Sequence, residues 1–323
     1  ACLVGSEMCI RDRHTEMKKH ILLFLLLIPC ILTGCIKDNM DDCHRSYTLL
    51  FRYTGDGTTD IFRQKVTKVD LYVYNAETKQ LVETHTVDRA ALKQLQGITL
   101  NNLTPGNYEV ICWGNAGGHS SVDKTENKEA GSIASPGYYE GTSIATNDEL
   151  YHAIKSFTIS RAWEDVKETC DFTCAHINMK VRMEGFEDAV LPLSRGASDA
   201  CPVGLRMTSL AGCCYFNGEP SETLATYIPA TIRSAGSETA YEAGFCTLRF
   251  QDENDIELQL TNSATGEPFY TLSMEQYLAD NNLSVEDKQE VELYILIRFE
   301  GRGVGITVKP FEEEDIHPDM DEK

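Results

Sequence analysis

The stretch "HINMKVRMEGF", His176 to Phe186, alternates without a break, with Ile177, Met179, Val181 and Met183 on one side and Asn178, Lys180, Arg182 and Glu184 on the other. A period of two places successive side chains on opposite faces of an extended backbone, so this stretch can bury one clean face as a strand but not as a helix. The same rhythm recurs along the chain. In "VTKVDLYVYN", Val69, Leu71 and Val73 alternate with Lys68, Asp70 and Tyr72. Asn75 to Gln80 then reads as a polar turn, and "LVETHTV" as the hairpin partner. "NNLTPGNYEVICWGN" turns at Pro105-Gly106 and continues as a strand that is apolar on both faces, Ile111 and Trp113 on one and Tyr108, Val110 and Cys112 on the other. Such a strand belongs in the middle of a sheet covered on both sides.

The second half keeps this style. "AGFCTLRFQDENDIELQLTNSATGEPFYTLSM" reads as a three-stranded meander, and "EVELYILIRFEGRGVGITVKPF" as a hairpin around Gly301 to Gly303. A single helix is predicted over Met274 to Asn281, with Ser273 as N-cap and Glu275 at the positive helix end. Asn115 to Asn147, rich in Gly, Ser, Asn and charge, reads as a long surface excursion. The fold class expected is all-β, with a sandwich in each half and little helix. The polar stretch Arg161 to Lys167 marks the boundary, giving domains over residues 46–163 and 164–311 and an acidic, solvating tail over 312–323.

The N-terminal region is of another kind. Ile21 to Leu32 is a twelve-residue apolar run behind Met17-Lys18-Lys19. A bilayer span needs about 20 apolar residues, whereas a basic end, a short apolar stretch and then small residues make an export signal. Leu32-Thr33-Gly34-Cys35 resembles the bacterial lipobox, which implies cleavage before Cys35 and lipid on its sulfur; two or three acyl chains hold stably where one does not. Met17 is read as the true start, residues 1–16 as an artefactual leader, 17–34 as the signal peptide and 35–45 as a polar, lipidated linker. Residues 1–34 hold four basic and three acidic residues, leaving 25 basic and 47 acidic, a formal charge of −22. That balance opposes nucleic acid and anionic lipid surfaces and points to protein partners.

Chemistry is sparse. There is no Gly-x-Ser-x-Gly elbow, no His-Glu-x-x-His helix and no phosphate-cradling glycine loop, so no enzyme, cofactor or metal is expected. Eight cysteines remain beyond Cys35: Cys43, Cys112, Cys170, Cys174, Cys201, Cys213, Cys214 and Cys246. Their spacing fixes no connectivity, and inward-facing strand positions favour buried free thiols for several. Cys170-x-x-x-Cys174-x-His176 lacks the second ligand pair of a zinc site. "QDENDIE" lacks the alternating Asp pattern and Gly of a calcium loop and reads as a solvated hairpin. Trp113 reads as core, Trp163 as the other possible glycan platform, and Tyr138-Tyr139 in "PGYYEG" as a loop pair or adhesive tip.

In order and spacing, the lipobox, "IKDNMDDC", "FRQKVTKVDLYVYNAETKQLV", "LTPGNYEVICWGN", "DELYHAI" and the C-terminal hairpin resemble the FimB-type fimbrial anchor family of type V fimbriae in Bacteroidales. The resemblance covers most of the chain after Cys35 and is strongest over Phe62 to Asn115; the chain departs from the pattern in its number of internal cysteines. It implies two tandem transthyretin-like β-sandwich domains, lipid attachment to the outer membrane through Cys35, and a non-enzymatic role in holding a fimbrial shaft on the cell and limiting its length. "CIKD" is similar to the signal that sends such lipoproteins to the outer face. The family's assembly resembles donor-strand exchange, which uses free sheet edges. The implied partner is the basal shaft subunit. Competing expectations are a surface glycan-binding lipoprotein and a fimbrial tip adhesin.

Overall fold

The computed structural model describes residues 46–101, 103–160, 165–186, 201–234, 239–300 and 305–310. The leader, signal segment, Cys35, linker, Cys43, Trp163 and acidic tail lie outside them. The folded body belongs to the compact unit Arg45–Lys323, and among the described residues no helix is long and apolar enough to cross a membrane.

Two pairs of facing sheets account for most of it. In the first pair, a three-stranded sheet runs β4 (Gly97–Leu100), β1 (Tyr47–Arg52), β9 (Val166–Asp171). The facing sheet runs β10 (Thr173–Cys174), β8 (Tyr151–Ile159), β5 (Gly106–Gly114), β2 (Val69–Asn75), β3 (Leu81–Val87). Tyr47, Leu49 and Phe51 of β1 meet Leu71, Val73, Val110 and Cys112 from the facing sheet in one buried cluster. The β2–β3 hairpin and the central place of β5 are as the alternation predicts.

In the second pair, one sheet runs β15 (Ile232–Arg233), β16 (Tyr241–Leu248), β11 (His176–Glu184), β19 (Glu292–Glu300), β20 (Gly305–Lys309). The other runs β14 (Leu224–Tyr227), β12 (Val203–Ala211), β17 (Glu257–Asn262), β18 (Pro268–Ser273). The alternating face Ile177, Met179, Val181 and Met183 packs on Leu205, Met207, Leu258 and Leu260. The predicted helix is present as Met274–Asp280, its Ser273 Oγ accepting from Gln276 N at 3.3 Å, and it closes this core with Met274, Tyr277 and Leu278.

Three expectations are corrected. Strand pairing does not change over at 163/164: β9 bonds to β1 in parallel and β10 bonds to β8, so residues 166–174 belong with the first pair of sheets. Second, Ala243 to Met274 is not a meander. β16 pairs with β11 while β17 pairs with β12, so residues 249–256 carry the chain from one sheet to the other; only β17–β18 is a hairpin. Third, 115–147 is not a surface excursion. It supplies β6 (Ser121–Asp123) and β7 (Ser132–Ala134), and β7 pairs with β13 (Cys214–Tyr215) in a small fifth sheet.

The strand β19 is preceded by a segment tied to the first pair of sheets. Asp56 accepts from Gln289 N at 2.6 Å and Glu290 N at 3.3 Å. Glu290 accepts from Tyr53 Oη at 2.5 Å, Lys65 Nζ at 2.7 Å and Tyr151 Oη at 3.2 Å. Burial pushes the Glu290 carboxyl up, but the bonds from Lys65 and Tyr53 outweigh it and hold the group below its usual range. A depressed carboxyl contributes stability that is full above its unfolded value of about 4.3 and is lost as pH falls through the folded one. Glu290→Gln therefore lowers stability by about 1–2 kcal/mol at pH 7. Urea titrations repeated at falling pH should show that difference closing below about pH 4.

Candidate functional surface

The residues closest to chemistry are satisfied structural groups. Cys174 and His176 are buried side by side, with Sγ 3.2 Å from Nδ1. The same Nδ1 lies 3.0 Å from Leu150 O. A carbonyl only accepts, so Nδ1 carries the proton and offers no lone pair to a metal. Burial lowers the His176 pKa, keeping the ring neutral. His152 is pushed down to about 4 by burial, and its Nε2–H donates to Phe216 O at 3.0 Å. Asp252, in the acidic turn, accepts from Val285 N at 2.7 Å and Ser284 Oγ at 2.6 Å, so its carboxylate fastens a neighbouring turn. Among the described residues no group of three or more His, Cys, Asp or Glu could hold a metal ion.

The described aromatic residues considered for glycan contact, Trp113, Tyr138 and Tyr139, each have packing partners. Trp113 is fully buried, its ring tilted 35° to that of His152 with centroids 4.4 Å apart. Tyr138 and Tyr139 sit on the short helix Pro136–Tyr139, edge to face at 5.4 Å. Tyr138 packs against the second core and Gly212, while Tyr139 Oη lies 3.1 Å from Ser132 Oγ. Neither forms a free tip. What covers the outer face of β2 and β5 is the third core: Tyr72, Tyr74, Ile111 and Trp113 receive Phe216 from beyond β13, along with Ile133 from β7. The apolarity of both faces of β5 announced a cover; nothing in the local sequence pointed to Phe216, 103 positions after Trp113.

The surface with an unmet apolar demand is a pair of sheet edges. Among the described residues the largest exposures of big apolar side chains are Ile232 at 67% and Leu224 at 60%, with Ile228 between them at 44%. Leu224 lies on β14 and Ile232 on β15, the outermost strands of the two sheets of the second pair. The chain crosses from one to the other through "LATYIPATIR". Ile144 bonds to Thr226 O and Ile228 N along the outer side of β14, covering part of that edge. The spacing of Leu224, Ile228 and Ile232 was visible in the sequence but carried no strand alternation to flag it. The other outermost strands among the described residues are β3, β4, β6, β9, β10, β13, β18 and β20.

No curated protein is significantly similar to the chain in sequence. Solved structures are similar in fold. An adhesin candidate from Bacteroides ovatus matches with TM-score 0.64 at 14% identity, over 86% of this chain and 98% of that one. A candidate polysaccharide-binding protein from Bacteroides thetaiotaomicron matches with TM-score 0.62 at 13% identity, over 84% and 99%. The fimbrial anchor protein Mfa2 from Porphyromonas gingivalis matches with TM-score 0.59 at 13% identity, over 82% and 96%. At such identities the likeness is one of fold. The model of the fimbrillin-A associated anchor proteins Mfa1 and Mfa2 matches residues 40–317, nearly everything after the lipobox-like segment. The chain belongs to this family of fimbrial anchor proteins.

Proposed function

We propose that this protein is a non-enzymatic outer-membrane lipoprotein, exposed on the cell surface and held there by lipid on Cys35, that anchors a fimbrial shaft and limits its length. The observation that carries the reading is the family match over residues 40–317, which starts five residues after Cys35 of the lipobox-like Leu32-Thr33-Gly34-Cys35. Two tandem transthyretin-like domains make the rigid body between lipid and shaft. The basal shaft subunit is held by strand complementation, because backbone bonds give affinity and alternate side-chain pockets give specificity. The β14–β15 edge with Leu224, Ile228 and Ile232 is the favoured site, since it adds apolar contact to unpaired backbone.

The test is Cys35→Ala in the native host, with electron microscopy of fimbrial length and the fraction shed into the medium. Long, released fimbriae are expected. Attached fimbriae of unchanged length would refute the anchor role. A mature N-terminus at Ser46 or later on cells would refute it separately, because such a cut severs the body from its lipid.

A further inference from the structure

Cys112 and Cys170 come from different sheets and meet in one core. Cys112 lies on β5, beside Leu71 of β2 and Ala153 of β8. Cys170 lies on β9, beside Phe51 of β1 in the facing sheet. Both are fully buried in the same apolar cluster, where each stands as a free thiol and Cys170 is the side-chain partner of Cys112. The other described cysteines find different polar neighbours. Cys174 Sγ faces His176, Cys246 Sγ donates to Asn178 Oδ1 at 3.0 Å, and Cys214 Sγ lies 3.5 Å from Tyr215 O. Cys213 is paired with the Tyr138 hydroxyl, and Cys201 with the Val203 backbone. Only Cys112 and Cys170 have each other as partner among these.

We propose that Cys112 and Cys170 are joined by a disulfide that pins the two facing sheets of the first sandwich together in the exported protein. The proposal rests on the export reading above, because disulfides persist in oxidising compartments. The bond forms by exchange with the disulfide of a thiol–disulfide oxidoreductase. One cysteine, as thiolate, attacks that disulfide and makes a mixed disulfide, releasing one thiolate of the donor. The second cysteine then displaces the donor's remaining sulfur. One S–S bond is made and one broken, and the two protons and two electrons of the substrate thiols pass to the donor, now a dithiol. Burial pushes the Cys112 thiol up, making it a poor nucleophile in the finished fold, so exchange precedes closure of the core.

The experiment is peptide mapping of protein from the outer-membrane fraction of the native host, alkylated in denaturant without reductant. Cys170 shares its tryptic peptide with Cys174, so fragmentation must show the link at Cys170 and the alkyl group on Cys174. A Cys112–Cys170 linked peptide together with lipid on Cys35 is expected. Lipid on Cys35 with alkylated Cys112 and Cys170 overturns the disulfide and leaves the export reading standing. Absence of lipid overturns the lipoprotein reading; the full chain refolded in an oxidising glutathione buffer then decides the pair, a linked peptide upholding it and two alkylated cysteines overturning it. A link closing a loop of this length lowers the thermal midpoint on reduction by about 10 °C, and Cys112→Ala with Cys170→Ala should abolish that dependence on reductant.

Discussion

Phe216→Ala is expected to lower stability by about 3–5 kcal/mol, in the range for removing a fully buried aromatic ring. The ring lies 5.3 Å from Tyr72, 6.2 Å from Tyr74 and 6.5 Å from Trp113, centroid to centroid. Its backbone is held as well, with Phe216 N donating to Gly131 O at 3.0 Å and Phe216 O accepting from His152. A Cβ on Gly131 would stand 2.6 Å from the ring, so that glycine cannot swing a side chain into the space left behind. The cavity therefore stays open and the outer face of β2 and β5 loses its cover. Chemical denaturation followed by tryptophan fluorescence reads the loss, since Trp113 lines the same core. Phe216→Leu should retain a good part of the stability; a variant with alanine as stable as the parent would show that the third core holds nothing together.

Gly185→Ala is expected to cost about 2–5 kcal/mol, the sum of a left-handed backbone and an overpacked contact. Gly185 follows β11 with φ +84°, and an added Cβ would stand 2.3 Å from Phe299 O on the neighbouring β19. A backbone oxygen cannot rotate away as a side chain can. Relief requires β19 to part from β11 next to the last pair in their register, Glu184 with Arg298. Gly244→Ala on β16 is the matched control, because nothing lies within 4 Å of its added Cβ; it should change stability by no more than about 0.5 kcal/mol. Equal effects at the two positions would discard the steric account.

The strands themselves were the most legible part of this fold. Ile177 to Met183 and Val69 to Val73 show the period of two because each buries one face, and the Ser273 cap is a local event in a local sequence. What the sequence withheld are pairings made at long range. Val166 to Asp171 pairs with Tyr47 to Arg52 from more than a hundred residues away, and no local pattern distinguishes a parallel crossover from the start of a new domain. Phe250 to Asp255 looks like a hairpin turn because polar turns and polar crossings share a composition. Residues 115–147 carry short strands whose partner, Cys214-Tyr215, is two residues long, too brief to announce itself. As for the functional surface, Leu224, Ile228 and Ile232 gain meaning only once β14 and β15 are known to be outermost.

The place of β1 has a mechanical consequence. It is the first strand after Ser46, and it sits in the middle of its sheet, antiparallel to β4 along one edge and parallel to β9 along the other from Tyr47 to Arg52. Tension entering at Ser46 and directed along the strand would shear both ladders at once rather than unzip them rung by rung, so the hydrogen bonds share the load and must fail together. Pulled from that end, the protein should resist force far better than its modest number of bonds in this sheet suggests.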